Sequence, residues 1–271
     1  MLINSYWLKK NIKKKNIKVL DASWYLPNIN RDAKKEYKQE RIPGAVFFDI
    51  DDVSDKKSSL PHMLPCRKTF EKKISDLGVR KNDYLVIYCK EGIMSSPRAW
   101  WMFKYFGHNN VFILNGGLRA WRQANGRIES GNQKIKLSSY KTGRIKWNLN
   151  TTYSNLINYK KEKKEICILD ARPKARFLEI DPEPRKHIGK GNIEGSYSLE
   201  YSLLDRNGFL KNKSELRAIF RNSIKENHKI ICSCGSGISA CALAFSLNYI
   251  SNYAWSVYDG SWTEWYLKTR S

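Results

Sequence analysis

The sequence predicts an α/β protein of two tandem domains, each a parallel sheet flanked by helices. Two observations carry this. Four short motifs occur twice in the same order, and each half alternates apolar strands with helical segments. The first motif is Val19-Leu20-Asp21-Ala22-Ser23, repeated as Ile168-Leu169-Asp170-Ala171-Arg172. Each is a short apolar strand ending in an acid. The second is a turn feeding a strand. It reads Arg41-Ile42-Pro43-Gly44-Ala45 before Val46-Phe47-Phe48, and then Gly191-Asn192-Ile193-Glu194-Gly195-Ser196. The third is a buried-type strand ending at cysteine, Tyr84-Leu85-Val86-Ile87-Tyr88-Cys89 and Lys229-Ile230-Ile231-Cys232-Ser233-Cys234. The fourth is a glycine-tryptophan signature, Asn115-Gly116-Gly117-Leu118-Arg119-Ala120-Trp121 and Tyr258-Asp259-Gly260-Ser261-Trp262-Thr263-Glu264-Trp265.

Strands separated by helices such as 99–105 and 239–248 argue for parallel pairing. Trp7, Leu8 and Ile12 read as part of a folded first helix. The stretch 131–146 is polar, basic and weakly periodic, and reads as the linker. We therefore divide the chain into a domain at 1–130, a linker at 131–150 and a domain at 151–271.

With 41% hydrophobic and 13% aromatic residues, the 271-residue chain has ample apolar surface for two cores. No run of about 18 apolar residues exists to span a membrane. The N-terminus shows no long apolar stretch before a small-residue cleavage site, so a cytoplasmic location is expected. The formal net charge is +23, with lysine spread along the whole chain and no nucleic-acid recognition motif beside it. Composition drift explains that mixture better than a nucleic-acid function. The field still favours small anionic ligands. The cysteines at 66, 89, 167, 232, 234 and 241 form no CxxC pair, and only four histidines are present. That argues against a zinc site and for reduced thiols. No metal or organic cofactor is expected. His108, His187 and His228 read as surface residues.

The chemistry concentrates in Cys234-Gly235-Ser236-Gly237-Ile238-Ser239-Ala240, between an apolar strand and a small-residue helix. Glycines let the backbone curl with its N–H groups inward, and the outgoing helix aims its N-terminus at the same place. Such a cradle stabilises an anion, here the Cys234 thiolate. Phosphatases that share this cradle carry arginine six residues after the cysteine; Ala240 stands there, so the phosphate fork is missing.

These residues resemble the tandem rhodanese-domain sulfurtransferases over nearly the whole chain. The loop is similar to the Cys-Gly-Ser-Gly-Val-Thr-Ala of the mercaptopyruvate branch, with Ile238 and Ser239 as conservative replacements. The thiosulfate branch has Arg-Lys-Gly after its cysteine. The resemblance implies an active site in the cleft between the domains, with Cys234 as nucleophile and Gly235, Gly237, Ile238 and Ser239 lining the donor. It also implies a relay of Asp51, His62 and Ser236, carried by Phe47-Phe48-Asp49-Ile50-Asp51 and Ser59-Leu60-Pro61-His62-Met63-Leu64-Pro65. Asp49 and Asp52 compete for the role of Asp51. Ala175-Arg176-Phe177 and Asp181-Pro182-Glu183-Pro184-Arg185 resemble the substrate segment, so Arg176 and Arg185 are expected to hold a 2-keto-acid carboxylate. Asn192-Ile193-Glu194-Gly195 departs from the usual His-Ile-Pro-Gly.

The implied reaction moves sulfur from 3-mercaptopyruvate through a Cys234 persulfide to cyanide or a thiol, such as that of a thioredoxin-like protein. The first domain is expected to supply Asp51 and His62. Cys89 is expected to be inert, because the acids and proline of Lys90-Glu91-Gly92-Ile93-Met94-Ser95-Ser96-Pro97 oppose an anion cradle. Rival readings are a thiosulfate:cyanide sulfurtransferase, a non-catalytic persulfide carrier and a nucleic-acid-binding protein.

Overall fold

A computed structural model describes residues 1–224, 228–250 and 253–270. The chain packs as two compact units. The first comprises Met1–Lys56, Leu64–Lys146 and Asn207–Leu210, and the second Lys57–Met63, Trp147–Arg206 and Lys211–Ser271.

In the first unit the elements run β1 (Leu2–Ile3), α1 (Ser5–Asn11), β2 (Ile17–Asp21), α2 (Ala33–Gln39), β3 (Val46–Phe47) and α3 (Ile50–Val53). They continue with α4 (Arg67–Asp76), β4 (Tyr84–Tyr88), α5 (Ser96–Tyr105), β5 (Val111–Leu114) and α6 (Gly117–Gln123). The five strands pair in parallel in the order β1-β5-β4-β2-β3.

The rest of the chain forms β6 (Asn150–Thr151), α7 (Tyr153–Lys161), β7 (Ile166–Asp170), α8 (Lys174–Phe177), β8 (Ser196–Ser198), β9 (Asp205–Arg206) and β10 (Phe209–Leu210). It ends with α9 (Lys213–Arg221), β11 (Lys229–Ser233), α10 (Ala240–Ile250), β12 (Trp255–Tyr258) and α11 (Ser261–Thr269). The sheet of the second unit runs β6-β12-β11-β7-β8, again all parallel. Strand for strand this is the order of the first sheet, so the sequence repeat is a repeat of fold.

The central strand of each sheet, β4 or β11, is followed directly by a cysteine, Cys89 or Cys234. A strand covered by helices on both faces reads as a continuous apolar run, as Leu85-Val86-Ile87-Tyr88 and Ile230-Ile231-Cys232 do. Leu8, Val19, Val86, Leu114 and Trp121 pack in the first core; Leu156, Ile168, Ile231, Tyr258 and Trp262 pack in the second. Each such side chain contributes about 1.5–3 kcal/mol on leaving water. Each of β2 and β7 ends at a fully buried aspartate, Asp21 or Asp170.

The stretch 131–146 is no free tether. It has no regular element, yet Tyr140 is buried against Phe70, Phe103 and His108. Its backbone bonds to the first unit through Ser138 N–H to Ser75 O, Gly143 N–H to Phe106 O and Lys146 N–H to Tyr105 O. One aromatic anchor in a polar run leaves no periodic signal.

His108 is likewise not a surface residue. It is fully buried, with Nε2 on Asp83 O at 2.9 Å and Nδ1 facing the Tyr140 hydroxyl at 3.3 Å. Desolvation pushes its pKa down to about 4. His187 is exposed and His228 half-buried.

Candidate active site

Cys234 follows the last residue of β11 directly, at the carboxyl end of the central strand, where open parallel sheets bind ligands. It is 2% exposed. Gly237 adopts φ +80, a left-handed turn that suits glycine, and its N–H donates to Cys234 Sγ at 3.1 Å. Helical bonding begins immediately, with Cys241 N–H on Ile238 O and Ala242 N–H on Ser239 O, so the N-terminus of α10 follows directly on the loop. Ser236 and Ile238 are buried in the loop and Ser239 is half-buried. Cys232, two residues earlier, faces the interior; burial holds its thiol well above the usual range, so it stays protonated.

The arginines form a buried ionic chain. Arg172 forks onto Asp170 through Nε at 3.0 Å and Nη2 at 2.7 Å, and its Nη1 donates to Glu183 Oε1 at 2.7 Å. Glu183 also receives Arg176, through Nε at 3.2 Å and through Nη2. The result is two carboxylates and two guanidiniums, neutral as a set. Arg176 thereby lies over the loop: a Cβ added at Gly235 would sit 2.9 Å from its Nη2. Glu183, Asp170 and Arg172 carry no role in the sequence reading. The repeat was the available signal, because Asp170 matches Asp21, yet Asp21 bonds Ser23 where Asp170 bonds Arg172.

Arg185 Nη2 lies 2.9 Å from His62 Nε2. A guanidinium only donates, so Nε2 accepts, and His62 is neutral with its proton on Nδ1. His62 is 8% exposed and adopts φ +62, an uncommon conformation for a side chain with Cβ. Lys57–Met63 packs with the unit that carries Cys234, whereas the sequence division places His62 in the first domain. The sequence reading gives His62 to the Ser236 hydroxyl; in the structure Arg185 donates to it.

Asp51 lies on α3 in the first unit, exposed, and its Oδ2 accepts the Trp24 indole N–H at 3.1 Å. Of its competitors, Asp49 caps α3 by accepting from Asp52 N–H, and Asp52 pairs with Lys73 at 2.7 Å. Asp51, with Ser23, Trp24 and Tyr25, lines a cavity of about 320 Å³ in the same unit.

The rhodanese-like domain matches the chain twice, over residues 4–124 and 152–268. The chain belongs to the rhodanese family. It is 37% identical, over 96% of its length and 74% of the relative's, to thiosulfate/3-mercaptopyruvate sulfurtransferase 1, mitochondrial, of Arabidopsis thaliana. It is 35% identical to human 3-mercaptopyruvate sulfurtransferase, over 99% of this chain and 93% of the relative. Among solved structures, the 3-mercaptopyruvate sulfurtransferase SseA of Escherichia coli superposes with a TM-score of 0.86. The identity there is 34%, over 96% of this chain and 98% of that one. This rhodanese-family chain is a sulfurtransferase.

Proposed function

We propose that Cys234 is the nucleophile, that 3-mercaptopyruvate is the preferred donor, and that a thiol or cyanide accepts the sulfur. The observation that supports this best is the loop itself: a buried sulfur that receives a backbone N–H inside a stretch without charged side chains. The Cys234 thiolate attacks the donor sulfur, the carbon–sulfur bond breaks, and Cys234 is left as a persulfide. The departing pyruvate enolate takes up one proton. Ser236 and His62 are the groups proposed to pass it, with Asp51 as the carboxylate of their relay. Arg185 and Arg176 are proposed to hold the donor carboxylate. Arg185 contacts the His62 imidazole and Arg176 the Glu183 carboxylate. A thioredoxin-like protein in the cytoplasm is the acceptor we propose.

Thiosulfate is the second donor considered, since the Arabidopsis relative is named for both. A loop with arginine and lysine would suit its two charges better than Gly235-Ser236 does. Sulfur release from each donor, measured on one sample, tests the reading. We expect kcat/KM to favour mercaptopyruvate and Cys234→Ser to abolish both activities. Equal or reversed preference overturns the donor; activity in Cys234→Ser overturns the nucleophile.

A further inference from the structure

The start of α11 is joined to the backbone of Cys234 and Gly235 by four hydrogen bonds. Ser261 Oγ accepts the Cys234 N–H at 3.1 Å and donates its own proton to Tyr258 O at 2.8 Å. Trp262 N–H donates to Cys234 O at 2.9 Å. Gly235 O receives both Thr263 N–H, at 3.0 Å, and Thr263 Oγ1, at 2.7 Å. Ser261 and Thr263 are buried, so little water competes for these bonds.

Peptide geometry turns this into an orienting device. In a planar trans peptide the C=O and the following N–H point in opposite directions. Drawing Cys234 O and Gly235 O onto α11 therefore turns the N–H groups of Gly235 and Ser236 away from α11. From there the chain curls until Gly237 N–H reaches Sγ.

The repeat supplies an internal control. In the first unit Leu118 N–H donates to Cys89 O at 3.1 Å, as Trp262 N–H does to Cys234 O. Gly117 thus corresponds to Ser261. Both are left-handed, at φ +59 and φ +51. Glycine adopts that conformation freely, and a Cβ on Gly117 would come within 2.1 Å of Cys89 O. A serine accepts strain there. What it adds over glycine is the hydroxyl, and the hydroxyl holds the nucleophile's own N–H.

We infer that Ser261 and Thr263 are positioning residues that hold the backbone of the Cys234 loop in its sulfur-facing orientation. The inference rests on Cys234 being the nucleophile. The primary variant is Ser261→Gly, which deletes the hydroxyl while admitting the left-handed backbone. We expect kcat with mercaptopyruvate to fall about tenfold, with KM within about twofold of wild type and the melting temperature unchanged or higher. A merely structural serine would lower the melting temperature on replacement and spare kcat. Thr263→Val should lower kcat in the same way and Thr263→Ser should restore most of it, which keeps the test decisive if one variant folds poorly. The inference is overturned if Ser261→Gly and Thr263→Val both keep wild-type kcat, if the loss falls on KM, or if Thr263→Ser is as impaired as Thr263→Val. Cys234→Ser in the same assay separates the two levels. An inactive Cys234→Ser beside fully active Ser261→Gly and Thr263→Val removes only this inference.

Discussion

Gly237 gives its N–H to Cys234 Sγ at 3.1 Å, whereas Cys89 points its own S–H at the carbonyl of Gly92, 3.3 Å away. Each glycine stands three residues after its cysteine and has positive φ. The two loops are copies that present opposite poles of the peptide to the sulfur. Cys234 Sγ accepts from a backbone N–H, while Cys89 Sγ faces the carbonyls of Glu91 and Gly92.

The first prediction follows. Cys89→Ser should retain most of the activity, and donor treatment of the wild type should add about one sulfur atom, on Cys234. Peptide mass spectrometry locates it. Cys66 needs a control: it is exposed, and its hydrogen bond with Thr69 lowers its pKa, so alkylating reagents should reach it readily. Persulfide on Cys89 and none on Cys234 would contradict the assignment.

The second concerns Gly235. Because a Cβ there would meet the Arg176 guanidinium, Gly235→Ala should shift Arg176 and lower kcat/KM for mercaptopyruvate by roughly tenfold, with the fold intact. Gly235→Arg with Ser236→Lys should displace Arg176 altogether and move preference toward thiosulfate. Steady-state kinetics with both donors checks both variants. Wild-type kinetics in Gly235→Ala would mean that Arg176 does not need its place over the loop.

The third separates the two arginines. A charge-assisted hydrogen bond contributes roughly 1.5–3 kcal/mol, so Arg185→Ala should lower kcat/KM by about ten- to a hundredfold. Arg185→Lys should recover part, since an ammonium keeps the charge and loses the fork. Arg176→Ala should also destabilise the fold, because it leaves Glu183 with one partner fewer in a buried network. Melting curves beside kinetics distinguish the two patterns. Identical melts for both alanine variants would count against this division.

The fourth is a pH effect. Burial holds His108 at a pKa of about 4, below its unfolded value near 6.5. The unfolded chain binds the proton first. The stabilisation is therefore complete above about pH 6.5 and lost as pH falls toward 4, by roughly 3 kcal/mol in all. Urea unfolding across that range should show the slope, and His108→Phe should flatten it. A slope unchanged in the variant would assign the effect to other groups.

The repeat, the two parallel sheets and the glycine turn after Cys234 were all legible in the residues, because each is a local pattern. Ile230-Ile231-Cys232 reads as a buried strand, and Cys234-Gly235-Ser236-Gly237 reads as a turn that only small residues can make. What Arg176, Arg185 and His62 touch is decided by tertiary structure. Glu183 is seven residues from Arg176 and His62 is 123 from Arg185, and no periodicity encodes such pairs. The same holds for Ser261, whose hydroxyl gains its meaning only when α11 folds back on a loop 27 residues earlier. His108 fails as a surface prediction, and Tyr140 left no signal in the linker stretch, for one reason: burial of an isolated polar or aromatic side chain depends on partners that only packing brings together. Sequence by itself determined the backbone scaffold and the glycine loop that holds Cys234; the fold decided which side chains hold that loop and its arginines in place.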